Sequence, residues 1–190
     1  MKDNLGVEIL KKTCSFLITM LFLLVGYLAM AMDTGSFGIE TDYLAFRIGE
    51  SGSYLITGWY AKDNIKYSLT YAAIDVTKEH ETHENADSES NIIAFRVDCY
   101  RNDDLKGLWF GGAVVYEQQE LVYNNKTGKI NSISAGITCG YSFYVSDNFY
   151  IAPYVNALAP IGKHECVIDG KTFKNASWSL EPVIKIGVQF

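Results

Sequence analysis

The chain has 190 residues, of which 16 are basic and 22 acidic, giving a formal charge of −6, and it is rich in Tyr, Phe and Gly with only 3 Pro. That length suits one domain with a sizeable core, and the apolar content argues against disorder. A nucleic-acid partner is excluded, because a polyanion needs a basic face and the sequence has no basic run.

The first segment carries Lys11 and Lys12, then no charged residue from Thr13 to Met32. Its apolar centre runs from Phe16 to Leu28, and Ala29 and Ala31 stand at the small-residue spacing that a signal peptidase reads. Residues 1–31 are therefore expected to be a secretory signal peptide and 32–190 a single domain. An uncleaved anchor is the alternative, since about 20 uncharged residues can span a bilayer. Cys99, Cys139 and Cys166 follow this segment. An odd count in an oxidising compartment cannot be a complete disulfide framework.

Beyond residue 36 the sequence alternates with period two rather than with helical period. Strands are expected at roughly 37–48 and 53–60, then in "IKYSLTYAA" with Ile65, Tyr67, Leu69 and Tyr71 on one face, and in "NIIAFRVDCY" with Ile93, Phe95, Val97 and Cys99 on one face. Another is expected at roughly 105–120. "ISAGITCGYSFYV" is the clearest case: Ile133, Ile137, Cys139, Tyr141, Phe143 and Val145 oppose Ser132, Ser134, Gly136, Thr138, Gly140 and Ser142. "FYIAPYVNA" and the closing "SLEPVIKIGVQF" complete a set of eight, the smallest number in bacterial outer-membrane barrels.

The connections alternate in length. Tight turns are expected at 61–64, 101–104 and 146–148, and long polar loops at 77–91, 118–129 and 160–176, the first long loop, "GESGS", being the short exception. Aromatic residues gather beside the tight turns, and Trp59, Tyr60, Trp109, Phe110, Phe143 and Phe149 are read as a girdle at one membrane interface. A soluble lipocalin-like barrel would also alternate. The polar face from Ser132 to Ser142 nonetheless lacks the Lys and Glu that a water-facing strand carries, and its small side chains suit a narrow barrel interior with the apolar face turned to lipid. Parity then places Lys66, Arg96, Asp98, Glu181 and Lys185 in the lumen, with Glu40 and Asp42, where they must pair.

Candidate chemistry is sparse. His80 and His83 stand among Glu79, Glu81, Glu84 and Asp87 in a charged loop, without the spacing of a structural metal site. His164 and Cys166 are near neighbours in another loop, and sequence proximity alone does not orient a base on a nucleophile. No catalytic, cofactor or metal site is therefore assigned, and no cofactor is expected.

The signal-like start, the eight alternating runs, the turn and loop alternation, and a final strand ending in Phe190 with apolar residues at every second position before it resemble the small eight-stranded outer-membrane proteins of the OmpX and OmpA membrane-domain type. The resemblance implies an antiparallel up-and-down transmembrane β-barrel in a bacterial outer membrane, with both ends of the mature chain periplasmic. It further implies that Ile184, Ile186, Val188 and Phe190 form the signal read by the barrel-assembly machinery. The expected partners are outer-membrane lipid, that machinery and an extracellular partner meeting loops 77–91, 118–129 and 160–176. The expected role is structural or in surface interaction. The alternatives are an outer-membrane lipid-modifying enzyme of the acyl hydrolase type, against which all three histidines lie in proposed loops, and a barrel binding or passing a small ligand. A lipophilic-ligand carrier would turn Phe95 and Ile137 inward.

Overall fold

The structure is a computed structural model that describes residues 35–42, 53–76, 86–162 and 164–190. The expected signal segment, residues 49–52 of the "GESGS" loop, and His80 and His83 lie outside the described residues.

Ten strands are described: β1 Ser36–Asp42, β2 Tyr54–Lys62, β3 Ile65–Val76, β4 Asp87–Tyr100, β5 Gly107–Tyr123, β6 Lys126–Tyr144, β7 Phe149–Pro160, β8 Glu165–Ile168, β9 Lys171–Lys174 and β10 Ser179–Gln189. Eight of them close a barrel in the order β1-β10-β7-β6-β5-β4-β3-β2, all neighbours antiparallel, while β8 and β9 form a separate two-stranded sheet. The eight-stranded up-and-down barrel read from the alternation is borne out. Closure joins the chain ends: β1 pairs with β10 from Gly38↔Gln189 to Asp42↔Lys185, and the Phe190 amide donates to the Phe37 carbonyl at 2.8 Å. No edge strand is left in the barrel, so its ladder hydrogen bonds are met internally, the condition for crossing hydrocarbon.

Turn chemistry sets the hairpins. Asp63 adopts φ 53° in the turn between β2 and β3. Asn124 and Asn125 adopt φ 49° and 60°, a pair of left-handed residues whose twist matches a two-residue hairpin. Pro153 lacks an N–H, and the β6–β7 ladder lapses beside it, between Gly140↔Tyr154 and Phe143↔Ile151, before resuming in the same register.

Three loop expectations are corrected by this geometry. Residues 118–129 are not a loop: β5 and β6 continue as a ladder to Tyr123↔Lys126 around a two-residue turn. The loop expected at 77–91 ends earlier, because β4 begins at Asp87, and the stretch 160–176 contains the β8–β9 hairpin. At 14 to 19 residues, β4 to β6 are the tall side of the described barrel wall, against 12 and 11 for β7 and β10.

The outer surface is apolar. Ile93, Phe95, Val114, Ile133, Phe143 and Ile184 are all between two-fifths and three-fifths exposed, and Ile137 is 72% exposed. Phe95 and Ile137 thus face outward, which removes the geometry required of a lipophilic-ligand carrier. The interior instead buries Glu40, Thr57, Lys66, Ser68, Arg96, Asp98, Thr138, Ser142 and Lys185. A water-soluble protein has the opposite arrangement.

Candidate functional site: a charged network within the barrel

The densest chemistry among the described residues is a network across the lumen with Glu40 of β1 at its hub. Its Oε2 accepts from Lys66 Nζ of β3 at 2.7 Å and from the Tyr150 hydroxyl of β7 at 2.6 Å. Its Oε1 accepts from Arg96 Nη2 of β4 at 2.8 Å and lies 3.3 Å from Lys185 Nζ of β10. Arg96 Nε donates to Asp98 Oδ2 at 2.9 Å, and the Thr138 hydroxyl of β6 reaches Asp98 Oδ1 at 3.4 Å. Asp42, one pleat along β1, accepts from the Tyr154 hydroxyl of β7 at 2.9 Å. Three cations therefore meet three carboxylates in a space from which solvent is nearly excluded, Glu40, Asp98 and Lys185 each being at most 2% exposed.

Aromatic rings complete the coordination. Lys66 Nζ sits 4.8 Å from the Trp59 ring centroid, and Lys185 Nζ sits 4.8 Å from that of Trp109 and 4.2 Å from that of Tyr154. The Arg96 guanidinium lies 5.3 Å from the Tyr154 ring. Such faces stabilise cations by roughly 0.5–2 kcal/mol each, more where water is excluded. Below the charges, Trp59, Ala61, Tyr100, Leu105, Trp109, Tyr150, Ala152 and Tyr154 form one buried cluster at the short-turn end. Leu105 enters it from the turn between β4 and β5 with φ 58°, a left-handed conformation that costs a branched residue on the order of 1 kcal/mol. Gly140 makes room: a Cβ there would lie 2.4 Å from the Trp109 ring and 2.6 Å from Tyr154 Cβ.

Four of the five charged residues assigned to the lumen, Lys66, Arg96, Asp98 and Lys185, meet in this network, whereas Glu181 lies apart, half-buried, and accepts from the Ser179 hydroxyl at 2.7 Å. The girdle expectation needs correction at two positions. Trp59 and Trp109 are 2% and 0% exposed and belong to the internal cluster, because they share the parity of Thr57 and Gly111. Phe110 and Phe143 do face outward at 60% and 53% exposure, and Tyr60 and Phe149 are half-buried on the outer side. Ile184, Ile186, Val188 and Phe190 all lie on the outer face of the final strand, three of them more than a third exposed. The tyrosine partners Tyr150 and Tyr154 escaped the sequence reading. Their even parity on β7, opposite to that of Phe149 and Ile151, was the available signal.

Elsewhere the described residues hold no grouping of three or more His, Cys, Asp or Glu able to bind a metal ion. Ser142 exchanges a hydrogen bond with the Tyr100 hydroxyl at 3.3 Å, and the His164 ring contacts the Gly162 carbonyl at 2.9 Å. Cys99 and Cys139 are thiols on the outer face, on either side of Phe110 in the ladder.

No family model matches the sequence, and neither does any curated protein. Solved structures do. The Neisserial surface protein A (NspA) is 14% identical with a TM-score of 0.49, over 82% of this chain and 93% of that one. A major outer membrane protein from Thermus thermophilus is 8% identical with a TM-score of 0.48, over 83% and 100%. The N-terminal β-barrel domain of Pseudomonas aeruginosa OprF is 16% identical with a TM-score of 0.52, over 83% of this chain and 100% of that one. Taken with the closed ladder and the inverted polarity, this last likeness assigns the chain the eight-stranded fold of a small outer-membrane barrel.

Proposed function

We propose that this protein is a plugged barrel of the bacterial outer membrane, with a structural or surface-interaction role and no catalytic activity. The observation that carries the reading is the pairing of an apolar outer surface with a neutralised interior. Lipid can solvate Phe95, Ile137 and Ile184 on the outside, and each cation of the lumen has a carboxylate within 3.3 Å. An interior filled by its own side chains leaves no open path, as is usual for eight strands. The outward alternation of Ile184, Ile186, Val188 and Phe190 suits an address read during assembly into the membrane.

The test is fractionation followed by electrophoresis with and without boiling. The protein is expected in the detergent-extracted outer-membrane fraction, with the unboiled form migrating faster. Recovery in the soluble fraction without detergent overturns the location. Vesicles carrying the folded protein are expected to retain small sugars. An unchanged lipid A mass spectrum on deletion of the gene is expected for a non-enzyme, and loss or gain of an acyl chain overturns that part.

A further inference from the structure

We propose that the β8–β9 hairpin is a hinged lid on the loop-side mouth of the barrel, shut by apolar docking and able to open without disturbing the charged network below. The hairpin's ladder is its own, running from Glu165↔Lys174 to Ile168↔Lys171, and no described barrel strand adds to it. Its turn is made by Asp169 and Gly170 at φ 52° and 77°, and its base is closed by the Asn175 amide donating to the His164 carbonyl at 2.9 Å. It is thus a preformed unit, joined to β7 and β10 by short segments, one of which contains Gly162 at φ 96°.

The surface it covers is the inner one. Leu121 and Ile130 continue the lumen-facing parity of β5 and β6, and Ala86 that of β4. Ile168 and Phe173 pack on these three in a buried cluster flanked by Tyr123 and Cys166, separate from the cluster that fills the short-turn end. The approach is flush. A Cβ on Gly128 would lie 2.5 Å from Ile168 and 3.3 Å from the Cys166 sulfur. At the tip, Lys126 pairs with Asp169, which also accepts from Asn124 at 3.4 Å. Beneath this cover Ser88, Ser90, Gln119 and Ser132 of the inner wall are each at most 9% exposed. A mouth closed in this way is a second barrier, in series with the charged network and held by different forces.

The native Cys166 supplies the probe. In a background with Cys14, Cys99 and Cys139 replaced by serine, and with the full barrel folded in detergent or vesicles, its maleimide labelling rate is expected to be at least tenfold below that of the urea-unfolded chain. Phe173→Ala is expected to raise that rate at least tenfold while the folded, fast-migrating band persists. In a second background with Cys166→Ser added, Ser90→Cys is expected to label slowly with a membrane-impermeant maleimide and at least tenfold faster when combined with Phe173→Ala. The proposal is overturned if Cys166 labels at the unfolded rate in the native barrel, if Phe173→Ala speeds labelling only where the folded band is lost, or if Ser90→Cys labels alike with and without it. Loss of heat-modifiable migration in the parent protein would instead sink the membrane reading, so the two failures are distinguishable.

Discussion

The charged network in the barrel and the apolar cluster under the β8–β9 hairpin are two cores built by opposite rules on the same strands. In the first, β5 and β6 turn Gly111 and Thr138 inward beside Asp98, while Phe110, Val114 and Ile137 face out. In the second, they turn Leu121 and Ile130 inward, while Gln118 and Asn131 are exposed outside and Glu120 bonds Lys129 there at 2.8 Å. On the outside the change falls between the pair Tyr116↔Ile133 and the pair Gln118↔Asn131; the inner face stays polar through Gln119 and Ser132 before turning apolar at Leu121 and Ile130, with no slip in register. The lesson is that the surrounding medium decides which face of a strand is apolar. Where hydrocarbon solvates the outside, polarity retreats to the axis and must neutralise itself. Where water does so, the ordinary apolar core returns.

The largest loss of stability is expected at the hub. Glu40→Ala leaves three buried cations facing two carboxylates, and removing one partner of a buried ion network costs about 3–5 kcal/mol. Urea unfolding from vesicles, followed by the fluorescence of Trp59 and Trp109, is expected to show that loss, with the hairpin still docked by the Cys166 labelling rate.

The exchange of faces is tested by placing the same charge at two outward positions of β5. Val114→Lys is expected to cost about 2–4 kcal/mol, because it puts an ammonium against lipid. Gln118→Lys, two pleats further along that face, is expected to stay within about 0.5 kcal/mol. Equal penalties in urea titrations would erase the proposed boundary between them.

That reversal also marks the limit of what could be read from the sequence. The strand "ISAGITCGYSFYV" announces itself because one face is wholly apolar and the other wholly small and polar. Beyond Tyr116 both faces are polar as far as Glu120, so a reading that tracks one apolar face loses it there; hence 118–129 reads as a loop although Asn124 and Asn125 form a hairpin turn. The girdle assignment failed at Trp59 and Trp109 for a related reason. Bulk and proximity to a turn suggested an interface, but each tryptophan has an aromatic neighbour, Tyr60 or Phe110, and adjacent residues on a strand cannot face the same side. The lumen charges were legible from parity. Their convergence on Glu40 was not, because it depends on ring closure between β1 and β10, a contact between the two ends of the described chain.

A smaller perturbation sharpens the second core alone. Ile168→Ala removes one buried side chain of a small cluster and is expected to cost about 2 kcal/mol, the low end for such truncations. The cost falls on hairpin docking, so Cys166 labelling quickens while the urea midpoint of the barrel stays fixed.

The smallest expected effect is electrostatic. Hydrogen bonds from Lys126 and Asn124 hold the Asp169 carboxyl below its usual range. A carboxylate whose folded pKa is depressed contributes stability above its unfolded pKa and loses it as pH falls through the folded value. Labelling of Cys166, taken relative to the urea-unfolded chain at the same pH so that the loss of thiolate cancels, is therefore expected to quicken slightly in that acidic window, and Asp169→Asn to abolish the pH dependence of that ratio. The effect is slight because water surrounds the pair.

The step from Tyr116↔Ile133 to Gln118↔Asn131 also gives the protein a waterline. Sinking the cylinder deeper by one pleat would drag two amides, and then the Glu120–Lys129 pair, among acyl tails; raising it would strand Tyr116 and Ile133 in water. Because a closed barrel moves as one body, a mark on two strands fixes the draught of all eight. Among the described residues β4, β5 and β6 then stand proud of the bilayer, so a neighbouring molecule in the membrane plane that approaches from their side meets a parapet.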